Sequence, residues 1–283
     1  MTTTAPTFTF LFTVDVEDWF QVENFKPWIT EDTWHQRELR VEDNVNRLLS
    51  LLEGYPSTFF ILGWVADRLP NLVRAIADQG HEVASHGYGH RMCHAMAPED
   101  LIQDLTRSKH LLEDITGAQV VGFRAPSFSI DHSTFGLLEQ CGYRYDSSYN
   151  SFEANPRYGH LDLSRYGQNG RGYKITNHFH ELPLSNLPLS RHTLPWSGGG
   201  YFRLFPYQVF RQGVRRILSR QGYYLFYMHP WEIDPGQPRV TDADRLSRFR
   251  HYCNLKTTYK KLQRMLGDHA YCRFSTCREF LRV

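Results

Sequence analysis

Phe8-Thr-Phe-Leu-Phe-Thr-Val14 runs without a break into Asp15-Val-Glu17-Asp18-Trp19. The first seven residues are aromatic, aliphatic or β-branched, the composition of a buried strand. Acidic residues follow at its C-terminal end. A carboxylate that follows a fully apolar strand is costly unless it is paired or holds a cation. The strand is therefore read as structural and its tip as a place for chemistry.

The same arrangement recurs further along the chain. Val41, Val45, Leu48, Leu49 and Leu52 recur at helical spacing and predict a helix over about 41–53. Ser57–Leu62 reads as a second strand. The helix that follows runs through Val65, Leu69, Leu72, Val73 and Ile76, and Pro70 breaks or restarts it. Gly80 ends that helix and His81–Ser85 is a third strand. Pro98-Glu99-Asp100 opens a helix through Leu101, Leu105, Leu112 and Ile115 that Gly117 closes. Gln119–Phe123 is a fourth strand, followed by a helix over 133–140 and a short strand at 143–145. Strands alternating with helices imply parallel βαβ units and an α/β fold. Residues 150–205, rich in Gly, Pro, Asn and Tyr, read as long loops with irregular strands over one face. A helix over about 206–221, the strand Tyr223–Met228, an amphipathic helix near 242–266 and a short tail complete the chain. With no linker or repeat, one domain over 1–283 is expected, with its core in about 8–235 and a C-terminal helical extension over 236–283.

The polar groups Asp15–Asp18, His86–His90, Arg124–Ser127, Asp146 and His229 all lie just past predicted strand ends, the edge at which α/β folds build active sites. His86-Gly-Tyr-Gly-His90 follows the apolar Val83-Ala84-Ser85, so two imidazoles can converge on one cation. They could instead be turn histidines that cap neighbouring elements. Glycines at 87 and 89 disfavour the helical HExxH pattern. One carboxylate would complete a mononuclear site, and a second, kept off the ion, could serve as general base. Strand alternation puts residues 15 and 17 on one side and favours Glu17. A turn starting at residue 16, expected before Trp19, presents Asp18 and tips the expectation toward it. His178 and His180 could form a second metal site. Trp19, Trp196, Tyr201 and Trp231 are ligand-stacking candidates or simply core. Gly198-Gly-Gly200 is a tight loop or a place where backbone approaches a ligand.

Composition sets bounds on these readings. A hydrophobic content of 41% with 14% aromatics over 283 residues supports a sizeable core and excludes wholesale disorder. A net charge of +2 makes no strong electrostatic case for nucleic acid or membrane binding. Cys93, Cys141, Cys253, Cys272 and Cys277 are scattered and read as free thiols in a reducing compartment. The start Met1-Thr-Thr-Thr-Ala-Pro6 lacks a basic region, and the apolar stretch after it meets Asp15, so neither a signal peptide nor a membrane span is expected. The expectation is a soluble, cytoplasmic protein.

The ordered motifs resemble the polysaccharide deacetylases, the NodB-homology or carbohydrate esterase family 4. Thr13-Val-Asp15 is similar to the family's first motif, Ser85-His86-Gly-Tyr-Gly-His90 to the second, and Arg124-Ala-Pro-Ser127 to the third. Tyr145-Asp146-Ser-Ser resembles the fourth and Phe226-Tyr-Met-His229-Pro the fifth. The resemblance covers about residues 8–235. Asp-Val-Glu-Asp-Trp, Gly-Gly-Gly-Tyr-Phe-Arg and His-Pro-Trp-Glu look like the branch associated with bacterial exopolysaccharide gene clusters.

The resemblance implies a distorted (β/α)7-type barrel and a hydrolase that removes N-acetyl groups from N-acetylhexosamine units of a polysaccharide or its lipid-linked precursor. It implies a divalent ion, zinc first among them, on His86, His90 and an acid. Asp15 would be the base and Arg124 its salt-bridge partner. His229 would be the general acid, oriented by a carboxylate such as Asp146. The backbone near Ser127 would bind the oxyanion, with Trp231 and Tyr201 as further substrate contacts. Valine at 16, where the family carries its metal-binding aspartate, moves that role to Glu17 or Asp18. Serine at 127 replaces the usual tyrosine. The rival readings are an allantoinase-like hydrolase of small amides and a catalytically silent carbohydrate-binding protein.

Overall fold

The computed structural model describes residues 8–152, 157–159, 161–168, 170–189 and 192–283. The chain start read above for targeting, Met1–Pro6, lies outside the described residues. The strands are β1 (Thr9–Val16), β2 (Thr58–Ile61), β3 (Glu82–Ser85), β4 (Gly122–Phe123), β5 (Tyr145–Asp146), β6 (Gly167–Gln168), β7 (Tyr173–Lys174), β8 (His180–Glu181), β9 (Leu187–Leu189), β10 (His192–Leu194), β11 (Tyr223–Met228) and β12 (Arg273–Phe274). The helices are α1 (Val41–Leu51), α2 (Gly63–Arg68), α3 (Pro70–Asp78), α4 (Pro98–Thr116), α5 (His132–Gln140), α6 (Gly199–Leu204), α7 (Tyr207–Gln221), α8 (Arg245–Tyr252), α9 (Leu255–Asp268) and α10 (Cys277–Leu281).

Seven strands run parallel in the order β11-β1-β2-β3-β4-β5-β8, and β7 and β6 continue the sheet antiparallel. Between β8 and β11 the ladder is replaced by single contacts. The Leu225 N–H donates to Ser185 Oγ at 2.9 Å, and the Tyr227 N–H to the Ser197 carbonyl at 2.8 Å. The result is the expected distorted seven-stranded α/β architecture.

Alternation along the strands divides the core in two. Phe10, Phe12, Val14 and Val16 of β1 pack in a cluster with Val45 and Leu48 of α1, Val73 of α3, Leu105 of α4 and Val214 of α7. Leu11 instead joins Phe60, Ala84, Tyr145, Leu182 and Leu225 in a second cluster built mainly of strand residues, the filling of the barrel. Odd-numbered residues of β1 thus point into the barrel and even-numbered ones toward the helices.

Three expectations need correction. Residues 150–205 supply the seventh parallel strand, β8, which pairs Tyr145 with His180 and Asp146 with Glu181. Two residues are too short for an alternation signal. The helix expected over 242–266 is two helices, broken where Asn254 turns left-handed at φ 55°. The break exposes the last carbonyls of α8, and the guanidinium of Arg203 takes those of Arg250, His251 and Cys253 at 2.8–3.0 Å. The tail is also more than helical. β12 returns to the centre and pairs with β1 at Thr9 and Phe10, below the point where β2 begins to pair at Thr13. All five cysteines are free.

Candidate functional site

β1 continues two residues past Val14, to Val16, so the chain does not turn at residue 16. Alternation therefore carries Thr13, Asp15 and Glu17 to the barrel interior and its C-terminal mouth. Asp18 comes out on the other side. Its Oδ2 accepts the backbone N–H of Arg40 at 2.7 Å and of Val41 at 2.9 Å, and its Oδ1 that of Trp19 at 2.8 Å. It supplies the entry to α1 with the acceptor that no side chain at the helix start provides. Burial pushes the Asp18 carboxyl up to about 6. The expectation that Asp18 joins the histidines is thus corrected in favour of Glu17.

His86 follows β3 directly, and its Nδ1 lies 2.7 Å from the carbonyl of Arg124. That bond makes Nδ1 the protonated nitrogen and leaves Nε2 with a lone pair for a ligand. Burial, aided by His90, holds the His86 imidazole down at about 3. His90 reaches the same place through a turn with φ 51° at its own backbone and 72° at Gly87. Asp104 of α4 clamps this turn, accepting the Tyr88 N–H at 2.8 Å and the Gly89 N–H at 3.3 Å. A Cβ at position 87 would sit 2.9 Å from that carboxylate, so glycine is needed there for space as well as for φ. Ligand atoms of Glu17, His86 and His90 lie within 4.8 Å of one another, and all three residues are buried. Among the described residues no other group of this kind is found; His178 is exposed and His180 half-buried.

Two nitrogens and one carboxylate oxygen, gathered with no lysine or arginine between them, suit a divalent cation. Glu17 Oε2 lies 2.9 Å from His90 Nε2 and is otherwise without a hydrogen bond. Burial disfavours the Glu17 charge, but His90 and His229 outweigh it and its carboxyl titrates below the usual range.

Asp15 sits one alternation step deeper. Its Oδ1 accepts from Arg124 Nη1 at 2.7 Å. The buried guanidinium also donates to Thr13 Oγ1 at 2.8 Å, the Ser147 carbonyl at 2.9 Å and Ser147 Oγ at 3.1 Å, and it lies 4.0 Å above the Phe60 ring. So held, Arg124 fixes the Asp15 carboxylate in one orientation.

His229 closes the mouth from the end of β11. Its Nε2 is 3.1 Å from Glu17 Oε1, and its Nδ1 is 2.9 Å from Glu232 Oε1. Glu232 is held in turn by Arg203, whose Nε donates to Oε2 at 2.8 Å. Burial works against charge on His229, but Glu17 and Glu232 outweigh it and its pKa is raised to about 9. Asp146 does not orient His229. It accepts the Ser148 hydroxyl at 2.6 Å and faces the buried Glu181, which burial and Asp146 together keep protonated well above the usual carboxyl range. The orienting role expected of Asp146 falls on Glu232 by geometry.

Sequence reasoning missed Glu232, Arg203 and Asp104 as site groups. A signal for the first was present. His229 at the strand end, Pro230 at the first helical position and Glu232 three residues on form a reciprocal capping box. A second was the glycine triplet, because a Cβ at Gly199 would stand 2.3 Å from Glu232 Oε2.

The aromatic candidates mostly belong to the core. Trp196 stacks between Phe205 and Phe210 at 5.0 and 5.5 Å, and buried Trp19 meets Phe20 edge-on at 5.5 Å. Trp231 is buried too, stacked between His229 at 5.2 Å and His251 at 4.1 Å, so it supports the histidine instead of offering a face to a sugar. Tyr201 lies on α6 against Phe205 at 6.2 Å. Ser127 and Phe128 are successive left-handed residues, at φ 53° and 57°, just past β4. Such strain in non-glycine residues is concentrated at functional sites.

Residues 28–145 match the family model described as polysaccharide deacetylase, and residues 147–281 match one described as a domain of unknown function (DUF3473). A peptidoglycan deacetylase-like protein of Gibberella zeae is 39% identical over 118 residues, 40% of this chain and 35% of that protein. The chain thus aligns with about a third of that relative. Among solved structures, one assigned as a polysaccharide deacetylase from Mycobacterium smegmatis superposes with a TM-score of 0.63 at 20% identity, covering 100% of this chain and 91% of its own. The Puue allantoinase structure superposes at 0.61 with 16% identity, covering 98% and 90%. These two likenesses speak for the fold. The family model falls on β2 to β5, with both histidines and Arg124, so residues 28–145 carry a polysaccharide deacetylase domain match, of the NodB-homology, carbohydrate esterase family 4 kind.

Proposed function

We propose that the protein is a metal-dependent hydrolase that removes N-acetyl groups from N-acetylhexosamine units of a polysaccharide or of its lipid-linked precursor. The observation that carries this reading is the convergence of Glu17, His86 and His90 within 4.8 Å, flanked by an arginine-held Asp15 and a glutamate-held His229. A divalent ion on the three ligands, zinc by the chemistry of the donor set, would supply Lewis-acid polarisation of the amide carbonyl and acidify a water molecule.

The remaining roles fall to the chain's own groups. Asp15, held in one orientation by Arg124, takes the proton of the attacking water. His229, held through Nδ1 by Glu232, is assigned to deliver a proton from Nε2 to the departing amine nitrogen. Proton removal and proton delivery are thus assigned to different residues, as hydrolysis of a poor leaving group requires. The backbone of the left-handed turn at Ser127 is assigned to the carbonyl oxygen as it gains charge.

The substrate fits a glycan made inside the cell and carried on a lipid, in keeping with an exopolysaccharide role and a cytoplasmic location. Among the described residues no helix is long and apolar enough to cross a membrane. The test is acetate release from N-acetylglucosamine oligosaccharides by the zinc-loaded protein, run beside allantoin and simple linear amides. Acetate release that disappears in Asp15→Asn with metal still bound supports the reading. Turnover of the small amides alone moves the assignment to the allantoinase-like class. Glycan binding with no turnover of any substrate moves it to a binding protein.

A further inference from the structure

We propose that the face built by α8 and the turn after Phe25 seats the protein on an anionic lipid bilayer. Leu246 and Phe249, three apart on α8, are each 56% exposed, and Trp28 is 36% exposed. Phe25 lies against His251 at 4.5 Å and Tyr252 at 5.8 Å, which fixes the turn carrying Trp28 against α8. Beside Phe249 opens a groove of about 550 Å³ lined by Arg239, Arg245, Arg248 and Tyr252. Arg239 lies over the Tyr252 ring at 4.1 Å, and Arg248 donates to the Thr241 carbonyl at 3.3 Å. Among the described residues none of these three arginines is paired with a carboxylate. The acids nearest in sequence are engaged locally. Asp244 accepts the N–H groups of Leu246 and Ser247 to cap α8, and Asp242 accepts the Thr241 hydroxyl.

Exposed tryptophan, leucine and phenylalanine set among unpaired arginines are what an interfacial surface requires. The apolar side chains enter the boundary between headgroups and acyl chains, while the guanidinium groups meet anionic headgroups. A soluble phosphate could use the groove but would leave Leu246 and Phe249 without a role, so the bilayer is the occupant that accounts for the whole face. The face also adjoins the mouth. His251 on α8 stacks on Trp231, which stacks on His229. Docking there brings the barrel mouth close to the membrane surface, where a lipid-carried glycan is presented. The inference itself is independent of the hydrolase reading, because its test measures binding.

The experiment is co-sedimentation of the intact chain with vesicles of phosphatidylglycerol and phosphatidylcholine in equal parts, beside pure phosphatidylcholine vesicles and inorganic phosphate as competitor. Binding to the mixed vesicles should exceed binding to the neutral ones about tenfold and weaken in high salt. The double variant Leu246→Glu/Phe249→Glu should lose it, and Arg245→Glu/Arg248→Glu should weaken it by roughly fivefold or more per position. All four positions lie at the surface, and an unchanged melting curve confirms that the variants fold. Absent binding, equal binding to neutral vesicles, or undiminished binding by either double variant overturns the proposal. So does competition by phosphate that the apolar substitutions leave untouched, which would mark a site for free anions.

Discussion

The two halves of the chain bring groups to one mouth by different means. Up to Asp146 the backbone does the placing: alternation along β1 delivers Asp15 and Glu17, the end of β3 delivers His86, and a glycine-bearing turn delivers His90. Beyond Asp146 side chains do it: Arg203 holds Glu232, Glu232 holds His229, and Trp231 supports the imidazole from below. The first device is fixed by the sheet and tolerates little change. The second is a relay of three long side chains, where substitutions of graded severity should give graded effects.

The sharpest way to break this contrast is at the proposed metal ligands. Glu17→Gln or His86→Ala should abolish tight zinc binding by titration calorimetry and with it acetate release, whereas Asp18→Asn should keep the metal. Zinc lost in Asp18→Asn and kept in Glu17→Gln would reverse the ligand assignment. Next, Asp15→Asn should lower turnover by about 10²–10⁴-fold with zinc still bound. In the second half, Glu232→Gln should lower turnover by roughly 10–100-fold with KM little changed, and Gly199→Ala should act in the same direction by crowding that carboxylate. An unaffected Glu232→Gln would mean His229 needs no orienting partner.

The smallest effect concerns the frame beneath both halves. His81 packs against Phe59 at 5.1 Å with neither ring nitrogen hydrogen-bonded, and burial lowers its pKa to about 4. The unfolded chain then binds the extra proton between about pH 6.5 and 4, so this contribution is complete above 6.5 and lost as pH falls through that window. His81→Leu should flatten that loss, on the order of 2 kcal/mol, in urea unfolding followed against pH.

The sequence was most legible where long apolar strands meet polar tips. β1, β2, β3 and β11 could be read within two residues at either end, and the gathering of Asp15, His86, His90, Arg124 and His229 followed from their shared position at or just past the C-terminal ends of strands. β4, β5 and β8 carry two residues each, too few for a period, so their pairing follows from neighbours distant in sequence. The choice between Glu17 and Asp18 turned on whether β1 ends at Val14 or Val16, a difference smaller than the resolution of pattern reading. Arg203 was hidden for another reason. Its partner Glu232 is 29 residues away, brought within reach by α6, which only tertiary packing reveals.

β1 is paired along its length with β11, in a register that joins Thr9 to Tyr223. During synthesis the first strand leaves the ribosome more than two hundred residues before that neighbour exists. At ordinary elongation rates its β11-facing edge stays unpaired for about 10–40 s. Through that interval the backbone of Phe10, Phe12 and Val14 offers an open strand edge, and Glu17 lacks His229 as its neighbour. A nascent chain arrested before residue 223 should therefore be retained by holding chaperones, and supplying zinc at that stage should not release it.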